Sequence, residues 1–256
     1  MPVRSASSEA IVKNAYKPES DNSKTAKLQN FSQTHIRYML VILLAGVALI
    51  LFGNISQQTN LWIRRFIGIV IGVNEVILQV GSFMREGWRE YLQLRAPCHL
   101  CFFSVLLVFL LTLFIPDNRF LWEILWYWSF PALVAILTPD APASFSFRQL
   151  SFFVSHGLIC ITAFYSVFVV NLRPRFISSL LAFLIAWVMS VISYPLNLLI
   201  GGKANYFFSK SKPDVSNPLL MGEWPYYMLG MWTFGIVVFV ASGLPFIFLP
   251  QVPLNY

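Results

Sequence analysis

The sequence has very little charge: only 11% of its 256 residues are Asp, Glu, Lys or Arg, whereas 57% are hydrophobic. Soluble domains carry about 25% charged residues, so this composition excludes a water-soluble enzyme. Three cysteines are too few for a disulfide scaffold, and a chain this apolar is not intrinsically disordered. The hydrophobic residues are enough to fill about seven segments of roughly 20 residues, the length of a membrane-spanning helix.

The sequence also lacks an apolar run near Met1, so we expect no secretory signal peptide. Residues 1–36 are polar, and we interpret them as a disordered tail before a transmembrane domain at residues 37–250. The net charge is +7, from 18 basic and 11 acidic residues. In so apolar a chain we attribute this excess to membrane topology, and no nucleic-acid partner is expected.

Seven apolar runs alternate with short polar breaks. We place them at Arg37–Phe52, Trp62–Met84, Pro97–Ile115, Phe120–Thr138, Leu150–Val170, Phe176–Ile200 and Trp224–Phe248. Lipid offers the backbone no hydrogen-bond partners, and the runs are too long and uniform for barrel strands, so helices are predicted. The predicted fold class is therefore all-α, a polytopic bundle of about seven transmembrane helices. Because no internal repeat is found, an inverted-repeat transporter is disfavoured.

Lys and Arg are unevenly shared between the two sides of the membrane that this alternation defines. With the tail on one side, that side has 13 of the 18 basic residues and the opposite side has five. Basic residues accumulate on the cytoplasmic side, so we predict a cytoplasmic N-terminus and a C-terminus on the opposite side. At the opposite side, Arg64, Arg65 and Glu123 are expected to reach the interface with their long side chains.

Polar residues inside the spans gather at one end of the predicted bundle. The second span carries Asn74, Glu75 and Gln79 in the half that faces the tail's side, and Glu75 and Gln79 share a helix face. Further polar groups fall at the same end of the other spans: Cys98–Cys101, Thr138–Asp140, Ser155–His156, Ser193–Asn197, Asn205–Tyr206 and Gly222–Tyr227. Since intramembrane polar residues are costly, we predict one polar pocket between the helices at this end.

Cys98 and the histidines suggest a chemistry for that pocket. Pro97 suits a first helical position, which puts Cys98 and His99 in the first turn, where the helix dipole favours a thiolate and burial opposes it. His156 comes from another helix at a similar depth. A thiol, an imidazole base and a carboxylate form a plausible nucleophile set, and the expected electrophile is a lipid acyl ester or thioester. The candidate catalytic residues are Cys98, His156, His99 and Glu75.

Several alternatives remain open at this point. Cys98 can be an ordinary buried thiol, and His156 can make a purely structural bond between helices. A Cys98–Cys101 redox pair lacks the second pair of a membrane relay, and adjacent Cys-His ligands make zinc binding awkward. Phe102 after Cys101 excludes a haem-attachment motif. No cofactor and no metal are therefore expected, whereas a non-catalytic protein that binds or transports a lipid or small solute stays open.

The order of short motifs resembles one family of membrane proteins. The motifs are Asn74-Glu75, Ala96–Cys101, Leu137–Asp140, Phe152–Gly157, Asn205–Phe208 and Gly222–Tyr227. They resemble the bacterial YwaF-type integral membrane proteins, and the resemblance runs from about Trp62 to Phe239. The same superfamily includes the transmembrane protein 164 family, which is regarded as containing lipid acyltransferases. Related intramembrane hydrolases use a Thr and a His.

The resemblance implies specific roles. Cys98 matches the Pro-Cys-His nucleophile of the acyltransferases, and His156 matches the family histidine. The bacterial members often have Leu where Cys98 stands, and Gly201–Ala204 replaces a shorter Gly-Thr. We also expect substrate-binding side chains in this pocket: Gln79, Asn197, Asn205, Tyr206 and Trp224. The expected partners are membrane lipids, and the sequence leaves the oligomeric state unknown.

Overall fold

A computed structural model describes residues 26–213 and 220–254 of the chain. Seven α-helices account for most of that part, which contains no β-strand. In chain order they are α1 (Gln33–Gly53), α2 (Gln57–Leu94), α3 (Leu100–Leu113), α4 (Arg119–Leu137), α5 (Phe147–Phe168), α6 (Phe176–Ile200) and α7 (Tyr226–Gly243). Each overlaps one of the seven predicted spans, and the all-α fold class is confirmed.

Side-chain caps explain where several helices begin. Ser32, Ser56, Asn118 and Ser146 each stand just before a helix, and each side-chain oxygen accepts a hydrogen bond from the backbone N–H three residues later. Such caps satisfy N–H groups that have no partner inside the helix. The apolar pattern therefore predicts the helices, while polar caps next to it set their first residues.

Six of the helices are long and apolar enough to cross a membrane, whereas α3 has only 14 residues. At 1.5 Å per residue α3 is about 21 Å long, less than the roughly 30 Å hydrocarbon core. The prediction that α3 starts at Pro97 is wrong. Its N-cap is His99, because the chain first turns at Ala96, whose carbonyl accepts a bond from the Cys98 N–H.

The α2 helix is the longest, with 38 residues, and it is interrupted at Gly87. There φ is +74° and ψ is 164°, a backbone conformation that glycine adopts readily and other residues rarely do. The chain therefore changes direction before the last turns of α2. This change of direction lies next to the start of α3.

The helices α4 and α5 form the centre of the bundle. They pack against each other, and both also contact α3. The helices α1 and α2 cover α5, whereas α6 and α7 cover α4. The core includes Trp122, Leu125, Tyr127, Ile159 and Tyr165, all fully buried. The outer helices expose large apolar side chains such as Leu44, Val76 and Leu199. An apolar exterior of this extent fits a lipid environment.

The predicted tail falls mostly on residues 1–25, outside the described part of the chain. Its last residues lie against the α4–α5 connection. The Leu28 N–H donates to the Ala141 carbonyl at 2.8 Å, and Lys27 Nζ lies 3.1 Å from Asp140 Oδ1. The first helix then starts at Gln33 rather than at Arg37, since Ser32 caps it.

Close contact between α2 and α3 depends on Gly68. A Cβ added there would lie 2.4 Å from Thr112 Oγ1 and 2.6 Å from Leu113 Cγ. At Gly81 on the same helix an added Cβ meets only the flexible end of Arg85, at 3.8 Å. Both changes to Ala gain the same helix propensity, but overpacking costs about 1–3 kcal/mol. We expect Gly68→Ala to be less stable than Gly81→Ala by about that amount, as measured by unfolding in detergent. Equal stabilities would contradict this packing.

Candidate functional site

One cavity of about 600 Å³ lies between α2, α3, α4, α5, α6 and α7. We call it the central cavity. It starts at the end of the bundle where α5 and α7 begin and α2 and α4 end, and it reaches Phe130 and Val238 near mid-bundle. Its deeper walls are apolar and include Phe183, Val238 and Phe239. A cavity with a polar end and an apolar interior matches the shape of an amphiphile.

His156 lines the central cavity from α5. Its Nδ1 lies 2.8 Å from the Phe152 carbonyl, and its ring lies against the Phe152 ring with centroids 4.2 Å apart. Only a protonated nitrogen can donate to a carbonyl, so in the neutral imidazole the proton sits on Nδ1 and Nε2 is an acceptor. Among the described residues, Nε2 has no hydrogen-bond partner. The helix thus holds the ring in the tautomer that a general base needs.

Glu75 and Gln79 also line the cavity, and they are joined in a short hydrogen-bond chain. Gln79 Nε2 donates to Glu75 Oε1 at 2.5 Å, and the Tyr91 hydroxyl donates to Gln79 Oε1 at 2.8 Å. Nearby, Asn74 Nδ2 donates to Ser155 Oγ at 2.8 Å and ties α2 to α5 beside His156. These bonds satisfy polar groups that would be costly in lipid.

The two cysteines at the start of α3 have different surroundings. Cys101 lines the central cavity. Cys98 does not appear on the described cavity wall, and it packs instead, like Tyr91, against the buried cluster of Ala96, Ala204 and Tyr206. In this connection before α3, partial burial raises the pKa of the Cys98 thiol. The thiol is therefore protonated near neutral pH and needs a base before it can attack.

His99 lines the cavity too, but its ring nitrogen is engaged. Nδ1 accepts a hydrogen bond from the Phe207 N–H at 3.3 Å, and the ring lies against Tyr206 with centroids 5.1 Å apart. Burial lowers the pKa of His99 to about 4, so the ring is neutral at physiological pH and can accept this bond. His99 holds the 205–209 segment in place, which leaves His156 as the histidine with a free acceptor.

Four of the predicted substrate-binding residues hold the 205–209 segment in place by hydrogen bonds, and they do not line the described cavity wall. Asn197 donates to the Tyr206 carbonyl at 3.0 Å and accepts from the Tyr206 N–H at 2.7 Å. Asn205 accepts from the backbone N–H groups of Lys210 and Ser211. Two further bonds close the network: Tyr206 donates to the Leu92 carbonyl at 2.6 Å, and Trp224 donates to the Ser209 carbonyl at 2.9 Å. Of the predicted substrate-binding set, Gln79 alone lies on the described wall.

Phe207 and Phe208 are the residues that this network brings to the cavity. Both have positive φ, 54° and 53°, which is costly for residues other than glycine. The Tyr227 hydroxyl donates to the Phe208 carbonyl and helps to hold the segment. The sequence shows an aromatic pair here but gives no sign of its backbone conformation, because the bonds that impose it come from distant helices.

Sequence reasoning placed Asp140 at the open end of the cavity but missed the other charged residues there. Arg85, Glu86, Arg95, Asp140 and Arg148 all line it. Arg85, Arg95 and Arg148 are part of the basic excess that predicts membrane orientation. Because helix alternation puts all of them at one end of the predicted bundle, the sequence already indicated that they could lie close together. Among the described residues, no group of three His, Cys, Asp or Glu side chains is placed to hold a metal ion.

These features define a class: an integral multi-pass membrane protein with an amphiphile-sized cavity that opens at one end of its helix bundle. The chain belongs to the TMEM164 family, whose model matches residues 30–242. This result confirms the resemblance found in the sequence motifs. No curated protein and no solved structure matches the chain.

Proposed function

We propose that the chain is an intramembrane enzyme that transfers or hydrolyses a lipid acyl group, with His156 as general base. The observation that carries this proposal is the unpartnered Nε2 of His156 on the wall of the central cavity. The apolar interior suits an acyl chain, and the polar end suits a headgroup. Membrane lipids are then both solvent and substrate.

The proposed reaction starts with attack on an acyl carbonyl carbon. As the new bond forms, His156 Nε2 takes the proton of the attacking thiol or water, and the carbonyl electron pair moves to oxygen. When the tetrahedral intermediate collapses, the bond to the leaving oxygen breaks and His156 returns the proton to it. A thiol gives an acyl-thioester that a second lipid hydroxyl or water then cleaves. Direct attack by water gives hydrolysis in one cycle.

Two thiols are candidates for the nucleophile. Cys98 matches the family's Pro-Cys-His motif, whereas Cys101 lines the cavity with His156. For Cys98 to attack, the connection at residues 95–99 has to turn its side chain from Tyr91 and Tyr206 toward the cavity. Cys101 needs no such movement, and its position supports it as the nucleophile.

Acyl labelling separates these candidates. We expect the full chain, treated with a long-chain p-nitrophenyl ester in detergent, to gain one acyl group by intact mass. Cys101→Ala should abolish the label if Cys101 attacks, and Cys98→Ala should abolish it if Cys98 attacks. Cys160→Ala is the matched control, because the Cys160 thiol donates to the Ser129 carbonyl and lies off the described cavity wall.

The other outcomes are equally decisive. Release of p-nitrophenol with no label in any variant indicates direct attack by water. If the unmodified chain gains no acyl label and releases no p-nitrophenol, the enzymatic proposal is contradicted. A non-catalytic lipid-binding protein would then be favoured, and the burial of Cys98 away from the cavity supports that second candidate.

We also propose that the N-terminus lies in the cytoplasm. The excess of basic residues on the N-terminal side supports this orientation through the positive-inside rule. The central cavity would then open toward the cytoplasmic half of the membrane.

A further inference from the structure

Three arginines meet at the open end of the central cavity. Arg85 comes from α2, Arg95 from the connection to α3, and Arg148 from the first turn of α5. Arg85, Arg95, Glu86 and Asp140 are close enough to Arg148 to act on it electrostatically. Like charges collected at one end of a cavity repel each other unless a counter-charge joins them.

In the part of the chain that the structure describes, the two carboxylates at this end already have cationic partners. Arg95 Nε donates to Glu86 Oε1 at 3.2 Å, and Asp140 lies 3.1 Å from Lys27 Nζ. Among the described residues, these two pairs leave Arg85 and Arg148 without a paired carboxylate. Within the described part of the chain, the guanidinium groups of Arg85 and Arg148 make no hydrogen bond or ion pair. Their five N–H donors each are suited to oxygen atoms of phosphate or carboxylate.

A buried hydroxyl beside Arg148 also lacks a partner. Ser151 lies one helical turn deeper on α5, lines the cavity and is fully buried, yet its Oγ has no hydrogen-bond partner. Buried polar atoms are nearly always satisfied, so an orphan hydroxyl on a cavity wall indicates that a ligand or water completes it. Arg148 and Ser151 thus present a charged donor and a neutral donor on one face.

We propose that this end of the cavity binds the phosphate of an anionic lipid headgroup through Arg148, Arg85 and Arg95, with Ser151 as an additional donor. The inference rests on the proposed function, because it names the substrate class of the same cavity. It assigns a negative charge to the headgroup, although the carboxylate of Glu75 lines the same cavity. Glu75 is 11 residues from Glu86 along α2, or about 16 Å, and is bonded to Gln79.

The order of groups along the cavity supports a lipid rather than a free anion. Arg148 lies at the open end, and His156 lies eight residues further along α5, about 12 Å deeper. Beyond them the walls are apolar, with Phe183, Val238 and Phe239. A charged head, an ester and an acyl chain follow each other in the same order in a phospholipid. Inorganic phosphate would use only the first of these three regions.

A pair of probes that differ only in phosphate tests this inference. The full chain in neutral detergent is titrated with oleoyl lysophosphatidic acid and with monooleoylglycerol, and binding is followed by intrinsic tryptophan fluorescence. We expect lysophosphatidic acid to bind at least about tenfold tighter, since charge-assisted hydrogen bonds to one phosphate supply that difference. Arg148→Gln should remove most of this preference and leave monooleoylglycerol binding unchanged.

Arg89→Gln is the matched control, because Arg89 is only four residues after Arg85, beyond the interruption at Gly87, and does not line the described cavity. It should keep the full preference. Equal binding of the two probes, or equal losses in Arg89→Gln and Arg148→Gln, would overturn the proposal. So would inorganic phosphate alone binding as tightly as the lysolipid. The titrations are repeated in His156→Gln, so that binding is judged separately from catalysis.

Discussion

Replacement of His156 by Gln is expected to lower turnover of a long-chain p-nitrophenyl ester by about 10²–10⁴-fold, the range for loss of a general base. Gln is close in size to His and keeps a polar side chain at this position on the cavity wall. It cannot accept a proton at neutral pH. The loss should therefore appear in kcat, while binding of monooleoylglycerol and the thermal unfolding midpoint stay close to those of the unmodified chain.

His99→Gln is the informative comparison for this experiment. His99 is the other candidate histidine, and its Nδ1 already accepts the Phe207 N–H. We expect His99→Gln to lower stability and to change turnover much less than His156→Gln does. If His99→Gln removes turnover and His156→Gln does not, the assignment of the base is wrong. The 205–209 segment would then belong to the reacting part of the site.

Glu123→Ala is expected to destabilise the fold by about 1–3 kcal/mol, because it leaves the buried Ser178 hydroxyl without its acceptor and removes the carboxylate that Arg175 and Arg119 share. Glu123 on α4 is fully buried. It accepts two hydrogen bonds from Arg175 Nε and Nη2 at 2.9 Å, and a third from Ser178 Oγ at 2.5 Å. Arg119 Nε lies 3.4 Å from it as well. One carboxylate thus joins α4 to the start of α6 at the end of the bundle opposite the cavity opening.

The measurement is the free energy of unfolding in detergent, with Glu90→Ala as control. Glu90 is exposed near the end of α2, so its replacement should change stability by less than about 0.5 kcal/mol. A similarly small effect for Glu123→Ala would show that the network contributes little. Glu123→Ala should leave the preference for lysophosphatidic acid intact in the folded fraction, because Glu123 lies at the other end of the bundle from the three arginines.

The burial of Glu123 differs from what its position near a helix end predicts. We expected Glu123, Arg64 and Arg65 to reach interfacial water, as long charged side chains near helix ends often do. That expectation is wrong for Glu123 and for Arg64, which is 3% exposed. A carboxylate can stay buried when other elements bring enough donors to it. The donors to Glu123 come from residues more than 50 positions later in the chain.

The arrangement of the candidate site was only partly predictable. His156, Glu75, Gln79 and His99 were placed at one end of the bundle by helix alternation, and all four line the central cavity. Alternation fixes depth but not the direction in which a side chain points around its helix. Cys98 and Cys101 are three residues apart, yet one faces Tyr91 and the other faces the cavity. The late start of α3 at Leu100 decides that difference.

The sequence by itself determined that this chain crosses a membrane as an all-α bundle. Its apolar runs are long enough to span lipid, where the backbone groups have no partners outside the helix. It also determined which end of the bundle is polar, since alternate crossings sort residues by depth. Only the tertiary structure decided which of those residues share a cavity. Rotation about each helix axis, the hydrogen bonds of Asn197 and Tyr206, and the charged neighbours of Arg148 depend on packing between segments far apart in the chain.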